Sequence, residues 1–325
     1  MHDDAIYVGV DVSKDSLDVA AGSEGSVWRF ANTPAGIRKL LRRLGSLLVA
    51  LVVLEATGGY EDRLADALDE AGHALAVVNP GRIRGLARAT GVLAKTDAID
   101  ARMIARYGEV VKPPARARPT GKVHALMALV GRRDQLLTMQ AAERSRLEVV
   151  SDSTVRGDIR RAIDGLGRRI KALEDRIAAV IAADRELKAR NDLLTSVPGV
   201  GPTLASTLAA CLPELGSLDN KAIAALAGVA PFSRDSGRTS GKRFIWGGRS
   251  QVRKVLYMGA LVAAKHNPVI REFYQRLVES GKPKKLALTA CMRKLLVILN
   301  SMLRHGEYWR APAATAPLED GANTV

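Results

Sequence analysis

The chain has 325 residues, of which 49 are lysine or arginine and 34 are aspartate or glutamate, giving a formal net charge of +15. This balance favours a polyanionic partner or an anionic membrane surface, and the length is sufficient for two or three domains. Aromatic residues amount to 4%, which argues against a single-strand binder built on rows of aromatic stacking platforms. The charge is uneven, since residues 1–110 carry a difference of −2 and residues 231–310 one of +13. We therefore expect a front half able to hold metal and a basic back half able to hold phosphates.

The start of the chain, MHDDAIYV, is acidic and so differs from the basic start of a secretory signal. The longest apolar run, residues 44–54, is too short to span a bilayer and is typical of a helix end that leads into a buried strand. Cys211 and Cys291 lie far apart without metal-ligand spacing, which favours a reduced compartment and a buried structural role. These features predict a cytoplasmic protein without a membrane partner.

The first 112 residues alternate predicted strands and helices. Strands are predicted at 5–12, 18–21, 27–30, 51–54 and 73–78, and helices at 34–48, 60–71 and 96–107. Pro34 opens the first helix, Gly72 ends the second, and Asn79-Pro80 closes the last strand. Three strands, a helix, a strand, a helix, a strand and a last helix is the element order of a ribonuclease H-like fold. We therefore predict an α/β N-terminal domain of this class over residues 1–112.

Helical periodicity dominates after a proline-rich, basic linker at 113–118. Apolar residues between 163 and 180 alternate steps of three and four, the spacing of a coiled-coil seam. Either an intramolecular helical hairpin or a second protomer would cover this seam. We predict a helical, coiled-coil segment over 113–191, an all-α C-terminal domain over 192–310 and a disordered tail over 311–325.

The segment SVPGVG at 196–201 lies between two apolar helical runs, which is a helix-hairpin-helix pattern. In such a turn Gly199 and Gly201 would let the backbone approach a phosphate that faces the amides of the next helix. An ordinary tight turn between two helices is the alternative.

Four carboxylates in the N-terminal domain occupy positions typical of a metal site. Asp11 and Glu55 end apolar strand-like runs, whereas Asp97 and Asp100 lie three residues apart on one face of a predicted helix. Acids at the ends of buried strands are costly without a cation between them, and hard divalent ions take oxygen ligands. Taken singly, Asp97 and Asp100 also suit a helix N-terminus capped by Thr96 or Asp97. Together the four predict a two-metal site for phosphoryl transfer. The neighbouring acids Asp15, Asp18, Glu61 and Asp62 are expected to be solvated.

Motifs spread over residues 5–310 resemble, in order, those of the DEDD transposases of bacterial insertion sequences, the group that includes the Piv-type DNA invertases. The N-terminal motifs are GVDVSK at 9–14, LEATGGY at 54–60, VNP at 78–80 and KTDAIDA at 95–101. The C-terminal motifs are SVPGVGPTLA at 196–205, LAGVAPFSRDSG at 226–237, GGRSQVRKVLYMGAL at 247–261 and a Lys-Arg-rich helix near 282–296.

The resemblance implies a RuvC-like N-terminal domain that holds Mg²⁺ and a C-terminal domain that supplies a serine nucleophile. The implied metal ligands are Asp11, Glu55, Asp97 and Asp100. In this family the serine precedes a glycine a few residues after an Ala-Pro pair, which here selects Ser236. Ser240 has the same local form and leaves the assignment open, whereas Ser233 lacks the glycine.

The implied activity is that of a site-specific recombinase that excises and inserts an insertion element through a covalent phosphoserine–DNA link. A structured RNA encoded by the element would guide it, and a homo-oligomer, dimer or tetramer, would cut the strands of element ends and target together. The location would be the bacterial cytoplasm, in association with the nucleoid. The predicted nucleic-acid-binding residues are Gly199, Gly201, Arg234, Arg238, Lys242, Arg243, Arg249, Arg253 and Lys254.

Three other functions fit parts of the pattern. A Holliday-junction or structure-specific endonuclease would use the same metals with water as the nucleophile. An actin-like ATPase or kinase also has a Gly-x-Asp first strand, but the first 112 residues offer only Thr57-Gly58-Gly59 as a further phosphate loop. A non-catalytic nucleic-acid-binding protein would keep its function when Asp11 is replaced.

Overall fold

The computed structural model describes residues 5–92, 96–115, 118, 121–232 and 244–310, without the side chains of Asp97, Ala98 and Phe232. The chain divides into two compact units, Met1–Pro119 and Thr120–Val325.

The N-terminal unit is a mixed five-stranded sheet with helices on both faces, which confirms the α/β prediction for this region. The strands are β1 (Ile6–Val12), β2 (Ser16–Ala21), β3 (Val27–Ala31), β4 (Val49–Glu55) and β5 (Leu75–Val78), and they lie in the order β3-β2-β1-β4-β5. The first three strands form an antiparallel meander. β4 runs parallel to β1, and β5 runs parallel to β4. The helices are α1 (Pro34–Leu44), α2 (Asp62–Glu70), α3 (Pro80–Ala89) and α4 (Asp97–Val111).

The central strands are apolar on both sides because each side is covered by helices. Alternate residues such as Val10 and Leu54 join α1 and α2 in one core cluster. The residues between them, such as Leu51 and Val53, join α3 and α4 in another cluster. Asp11 follows Val10, and Glu55 follows Leu54, so both acids are on the α3 and α4 side of the sheet.

Gly9 of β1 lets α4 pack directly on the sheet. A Cβ atom at this position would lie 2.2 Å from the Ala105 nitrogen and 2.3 Å from the Ala101 oxygen. The helix backbone therefore occupies the space that any side chain would need. This contact fixes where α4 crosses β1.

The helix α3 was not predicted from the sequence, where Asn79-Pro80 was interpreted as the end of a strand. In the structure the same two residues begin a helix. The Asn79 side chain accepts a hydrogen bond from the Gly81 nitrogen at 2.8 Å, and Pro80 is at the first helical position. Asparagine at the cap followed by proline is a common helix start, so the signal was present in the sequence.

Over its described residues the C-terminal unit is helical apart from one short hairpin, as predicted for the remainder of the chain. Its helices are α5 (Gly121–Val149), α6 (Ser153–Ala182), α7 (Arg185–Thr195), α8 (Pro202–Cys211), α9 (Asn220–Leu226), α10 (Ser250–His266), α11 (Pro268–Glu279) and α12 (Lys284–His305). The hairpin consists of β6 (Pro231–Phe232) and β7 (Phe244–Ile245).

Helices α5 and α6 form an antiparallel pair within the chain. Leu126 of α5 packs with Ile181 of α6 at one end, and Gln140 donates to the Ile163 carbonyl, 3.2 Å away, further along. Asp152 caps α6 by accepting from the Val155 nitrogen at 2.9 Å, which marks the start of this helix. Where these two helices touch, the apolar seam of α6 is therefore covered by α5 of the same chain.

Within the described part of the chain, α12 is the helix long and apolar enough to cross a membrane by length and composition alone. Half of its apolar window is buried, and Leu295 and Leu299 are fully buried in the main core cluster of the unit. This is the behaviour of a core helix, and it is weak support for a membrane span.

We expect both cysteines to resist alkylation in the native protein. Burial raises the pKa of the Cys291 thiol to about 11 and also raises the pKa of Cys211. At pH 8 a thiol with that higher pKa is ionised in about one molecule in a thousand, and the thiolate is the reactive form. Iodoacetamide labelling at pH 8, followed by mass spectrometry, should leave both residues unmodified without denaturant and modify both in urea. Complete labelling of the native chain would contradict the buried structural role.

Candidate active site

Asp11 and Glu55 lie side by side at the carboxyl edge of the sheet. β1 and β4 are parallel, with Val10 paired to Leu54 at the end of the register, so the next residues on the two strands are Asp11 and Glu55. Both side chains are partly exposed. Ligands of parallel sheets bind outside this edge, and the two acids are therefore placed where a metal site was predicted.

The N-terminal turn of α4 lies toward the same edge. Gly108 lies against Tyr7, and Ala101 and Ala105 lie against Gly9, so α4 runs antiparallel to β1. Two strand residues span about 6.6 Å, and one helical turn spans about 5.4 Å. Moving from Gly9 to Asp11 therefore corresponds to moving about one turn toward the start of α4. The turn that begins at Asp97 and includes Asp100 is thus at the level of Asp11.

The residues at this edge suit a divalent ion by their chemistry. Several carboxylates on one edge repel one another unless a cation lies among them, and oxygen ligands are those of Mg²⁺. The described residues contain no group of three or more His, Cys, Asp or Glu side chains close enough to hold an ion. The side chain of Asp97, one of the four predicted ligands, lies outside the described part of the chain.

Thr96 is the cap of α4, one of the two residues that the sequence left open for this role. Its hydroxyl accepts a hydrogen bond from the Ile99 nitrogen at 3.3 Å. Asp97 is consequently the first helical residue rather than the cap. A negative charge at the first helical position is favourable because it faces the positive end of the helix dipole.

The expectation that Asp18 and Glu61 are solvated was wrong. Asp18 is 7% exposed, because it lies inside β2 directly opposite Asp11, and it forms an ion pair with Arg29 at 3.4 Å. Glu61 is 8% exposed because it turns back on its own loop. It accepts from the Thr57 hydroxyl at 3.1 Å and from the Gly59 nitrogen at 2.8 Å. Asp15 is exposed as expected, and the partly exposed Asp62 forms an ion pair with Arg118.

Asn32 connects the two loops that follow the acidic strand ends. Its buried side-chain amide donates to the Ser13 carbonyl at 2.8 Å and to the Tyr60 carbonyl at 3.2 Å. Ser13 follows β1, and Tyr60 belongs to the loop after β4. Sequence reasoning missed this residue, because an asparagine after an edge strand is also a common turn residue.

The predicted nucleophile segment is carried by the β6–β7 hairpin. Pro231 pairs with Ile245 and Phe232 with Phe244, so the chain leaves and returns at adjacent points. Gly228 and Gly248 are in contact beside the hairpin, both with positive φ. The predicted residues Ser233, Arg234, Ser236, Arg238, Ser240, Lys242 and Arg243 lie between the two strands, outside the described residues.

The three predicted basic contacts on α10 and at its start all bind within the C-terminal unit. Arg249 holds Glu214 through two contacts of 2.6 and 2.7 Å and donates to the Cys211 carbonyl at 2.8 Å. Arg253 donates to the Gly247 carbonyl, and Lys254 pairs with Asp134 of α5 at 2.8 Å. Their role toward nucleic acid stays a prediction, and Arg249 already has a structural one.

The two glycines of the 196–201 turn have different roles. Gly199 has a φ of +102°, and a Cβ atom there would lie within 2.8 Å of three atoms of Ala263 in α10. The contact between this turn and α10 therefore requires a glycine at this position. Gly201 precedes α8, and a Cβ atom there would meet no atom within 4 Å. The approach of both glycines to a phosphate stays a prediction.

Comparison with known proteins agrees with this arrangement over most of the chain. Residues 8–154 match a transposase family model of the DEDD, IS110 type, and residues 191–275 match the model described as the transposase IS116/IS110/IS902 family. The pilin gene-inverting protein of Moraxella bovis is 30% identical over 312 residues, which cover 92% of this chain and 95% of that protein. The protein of the same name from Moraxella lacunata matches equally well.

An insertion-element relative matches part of the chain. The uncharacterized 43.6 kDa protein of insertion element IS110 from Streptomyces coelicolor is 31% identical over 147 residues, 44% of this chain and 35% of that protein. The sheet with its acidic edge, the two family models and the near full-length relatives together define a DNA-recombining enzyme. The chain belongs to the IS110 family of DEDD transposases.

Proposed function

We propose that this protein is a Mg²⁺-dependent, site-specific DNA recombinase that excises and inserts an insertion element. The observation that carries the proposal is the edge where Asp11 and Glu55 end adjacent parallel strands beneath the first turn of α4. The sheet order, with an antiparallel meander beside two parallel strands, supports a ribonuclease H-like, RuvC-like domain over residues 1–112. The remaining proposed domains are the coiled-coil segment 113–191, the serine domain 192–310 with its helix-hairpin-helix, and the tail.

In this proposal the N-terminal acids and a C-terminal serine act on the same phosphodiester. Asp11, Glu55, Asp97 and Asp100 would hold Mg²⁺, which stabilises the charge that develops on the phosphate oxygens. Ser236 would attack phosphorus, so that one bond forms to its hydroxyl oxygen and the bond to a strand oxygen breaks. The proton that the serine loses balances the proton that the leaving strand oxygen gains. Because the phosphoserine link keeps the bond energy, the strands can be rejoined without ATP.

The basic C-terminal half supports nucleic acid as the partner, and we extend the proposal to a structured guide RNA encoded by the element. Base pairing with that RNA would then select the target and donor DNA, while arginine and lysine hold the backbones. A homo-oligomer in the bacterial cytoplasm, near the nucleoid, completes the proposal.

The test is to trap the covalent intermediate. The full chain is mixed with Mg²⁺, labelled element-end DNA and the non-coding RNA of the element, and protein–DNA adducts are separated under denaturing conditions and mapped by mass spectrometry. We expect the adduct on Ser236, its complete loss in Ser236→Ala, and its retention in Ser240→Ala. Loss in Ser240→Ala alone would move the nucleophile to that residue. Strand cleavage that persists in both variants without an adduct would replace the recombinase by a nuclease that uses water.

A further inference from the structure

We propose that α3 is a DNA-binding helix that holds the backbone of the strand entering the acidic edge. The proposal rests on the proposed function for the identity of the strand, but its physical basis is the exposed surface of α3. Three arginines, Arg82, Arg84 and Arg88, are exposed on this helix. Within the described part of the chain, none of their guanidinium groups has a hydrogen bond or an ion pair.

The charge of this segment is opposite to that of the unit around it. Residues 71–96 contain four basic and no acidic side chains, although residues 1–110 as a whole carry a difference of −2. Arginines on an amphipathic helix often cover apolar surface with their aliphatic stems. On α3 the apolar side is already formed by Ile83, Leu86 and Ala87. The three guanidinium groups therefore remain available to an anionic partner.

The position of α3 connects this surface to the candidate active site. Val78, the last residue of β5, pairs with Glu55, and α3 begins two residues later at Pro80. Its apolar side packs with Met103 and Ile104 of α4, so the helix lies on the same side of the sheet as Asp11 and Glu55. Arg84 and Arg88 are about 6 and 12 Å along the helix axis from its start.

The outward side of α3 is also unusually open. At about 100° per residue, Gly81 and Gly85 lie opposite the buried side, with Arg84 and Arg88 on one flank and Arg82 on the other. A Cβ atom at Gly85 would meet no atom within 4 Å. A glycine inside a helix lowers its stability relative to alanine, and here no internal contact requires it. A partner that approaches the helix backbone between the arginines explains both features.

The shape and charge suit a phosphate backbone. A helix of 10 residues is about 15 Å long, which equals the axial rise of about four nucleotides of one strand in a DNA duplex. Arginine forks bind phosphate oxygens in pairs. The strand to be cut has to reach the acidic edge, and the unpaired positive charge beside it would offset the repulsion between carboxylates and phosphates. DNA is therefore the partner that this surface fits best.

The test compares two double variants with the same loss of charge. Arg84→Ala/Arg88→Ala removes two arginines four residues apart on α3, and Arg38→Ala/Arg42→Ala removes two with the same spacing from the exposed side of α1, on the other face of the sheet. Binding of the full chain to a duplex of random sequence is measured by fluorescence anisotropy between about 50 and 200 mM salt. The logarithm of the binding constant falls as the logarithm of the salt concentration rises. We expect the α3 variant to reduce the steepness of this fall by about 1.8, and the α1 variant to leave it unchanged.

A second variant separates binding from stability. Gly85→Gln introduces a good helix former and a side chain on the open side, so we expect an equal or higher melting temperature together with weaker DNA binding. Equal slopes for the two double variants, or a loss of binding confined to a structured RNA, would overturn the α3 proposal. These readings need no catalysis, so the loss of recombination in an Asp11 variant remains a separate test of the proposed function.

Discussion

Replacement of Asp11 by asparagine is expected to lower DNA strand cleavage and joining by about 10³-fold or more without unfolding the protein. The amide keeps the shape of the carboxylate but removes the charge that would hold Mg²⁺, whose stabilisation of the transition state is worth several kcal/mol. Each 1.36 kcal/mol corresponds to a factor of ten in rate. The assay is plasmid recombination or cleavage with element-end DNA and Mg²⁺, with the circular dichroism spectrum as the check on folding.

Asp15→Asn is the matched control, because Asp15 is an exposed acid in the turn that follows β1. We expect it to keep full activity. Chelation of divalent ions should reproduce the Asp11→Asn defect in the unchanged protein and add nothing to the variant. An Asp11→Asn protein with undiminished cleavage and joining would rule out the proposed metal site as the catalytic centre.

The second large effect is expected on stability, from Gly9→Ala. The added methyl group would lie within 2.3 Å of backbone atoms of both Ala101 and Ala105, and backbone inside a helix cannot rotate away as a side chain can. Overpacked cores lose about 1–3 kcal/mol or more, so we expect a loss of at least about 3 kcal/mol in the free energy of unfolding of the N-terminal unit. Displacement of α4 would also move Asp100 away from the sheet edge, so activity should fall with stability.

Urea unfolding reported by Trp28 fluorescence measures this loss, with Trp246 and Trp309 replaced by phenylalanine so that the signal comes from the N-terminal unit. Gly85→Ala is the matched control, because the same methyl group there meets no atom within 4 Å. That variant should be unchanged or more stable by up to about 1 kcal/mol. Equal stabilities for the two variants would show that α4 can withdraw from β1 at little cost.

Much of the sheet was predictable because its signals are local. The segments that form β1, β4 and β5 are apolar and end at polar residues. The start of α1 is indicated by Thr33 at the cap and Pro34 at the first helical position. The predicted first helix was four residues too long, because the apolar run after Leu44 belongs to the approach to β4. The α3 helix was missed because Asn79-Pro80 is compatible with both a strand end and a helix start.

The neighbouring positions of Asp11 and Glu55 were predictable from the sequence, but the contacts around them were not. The order of Asp11 and Glu55 along parallel strands is enough to bring them to one edge once the fold is assumed. The burial of Asp18 depends on its cross-strand partner in β1, and that of Glu61 depends on a loop closing on itself. Likewise, the tight contacts at Gly9 and Gly199 involve residues more than 60 positions away. No local pattern encodes such distances, and only the folded chain reveals them.

The amide of Asn32 has a mechanical consequence for the sheet edge. It holds the carbonyls of Ser13 and Tyr60 together, so the segments after the two acidic strands are joined through one side chain. Movement of one segment away from the other would break both hydrogen bonds, at a cost of about 1–3 kcal/mol. We therefore expect the ends of the strands that carry Asp11 and Glu55 to keep their spacing when a DNA strand is admitted or released.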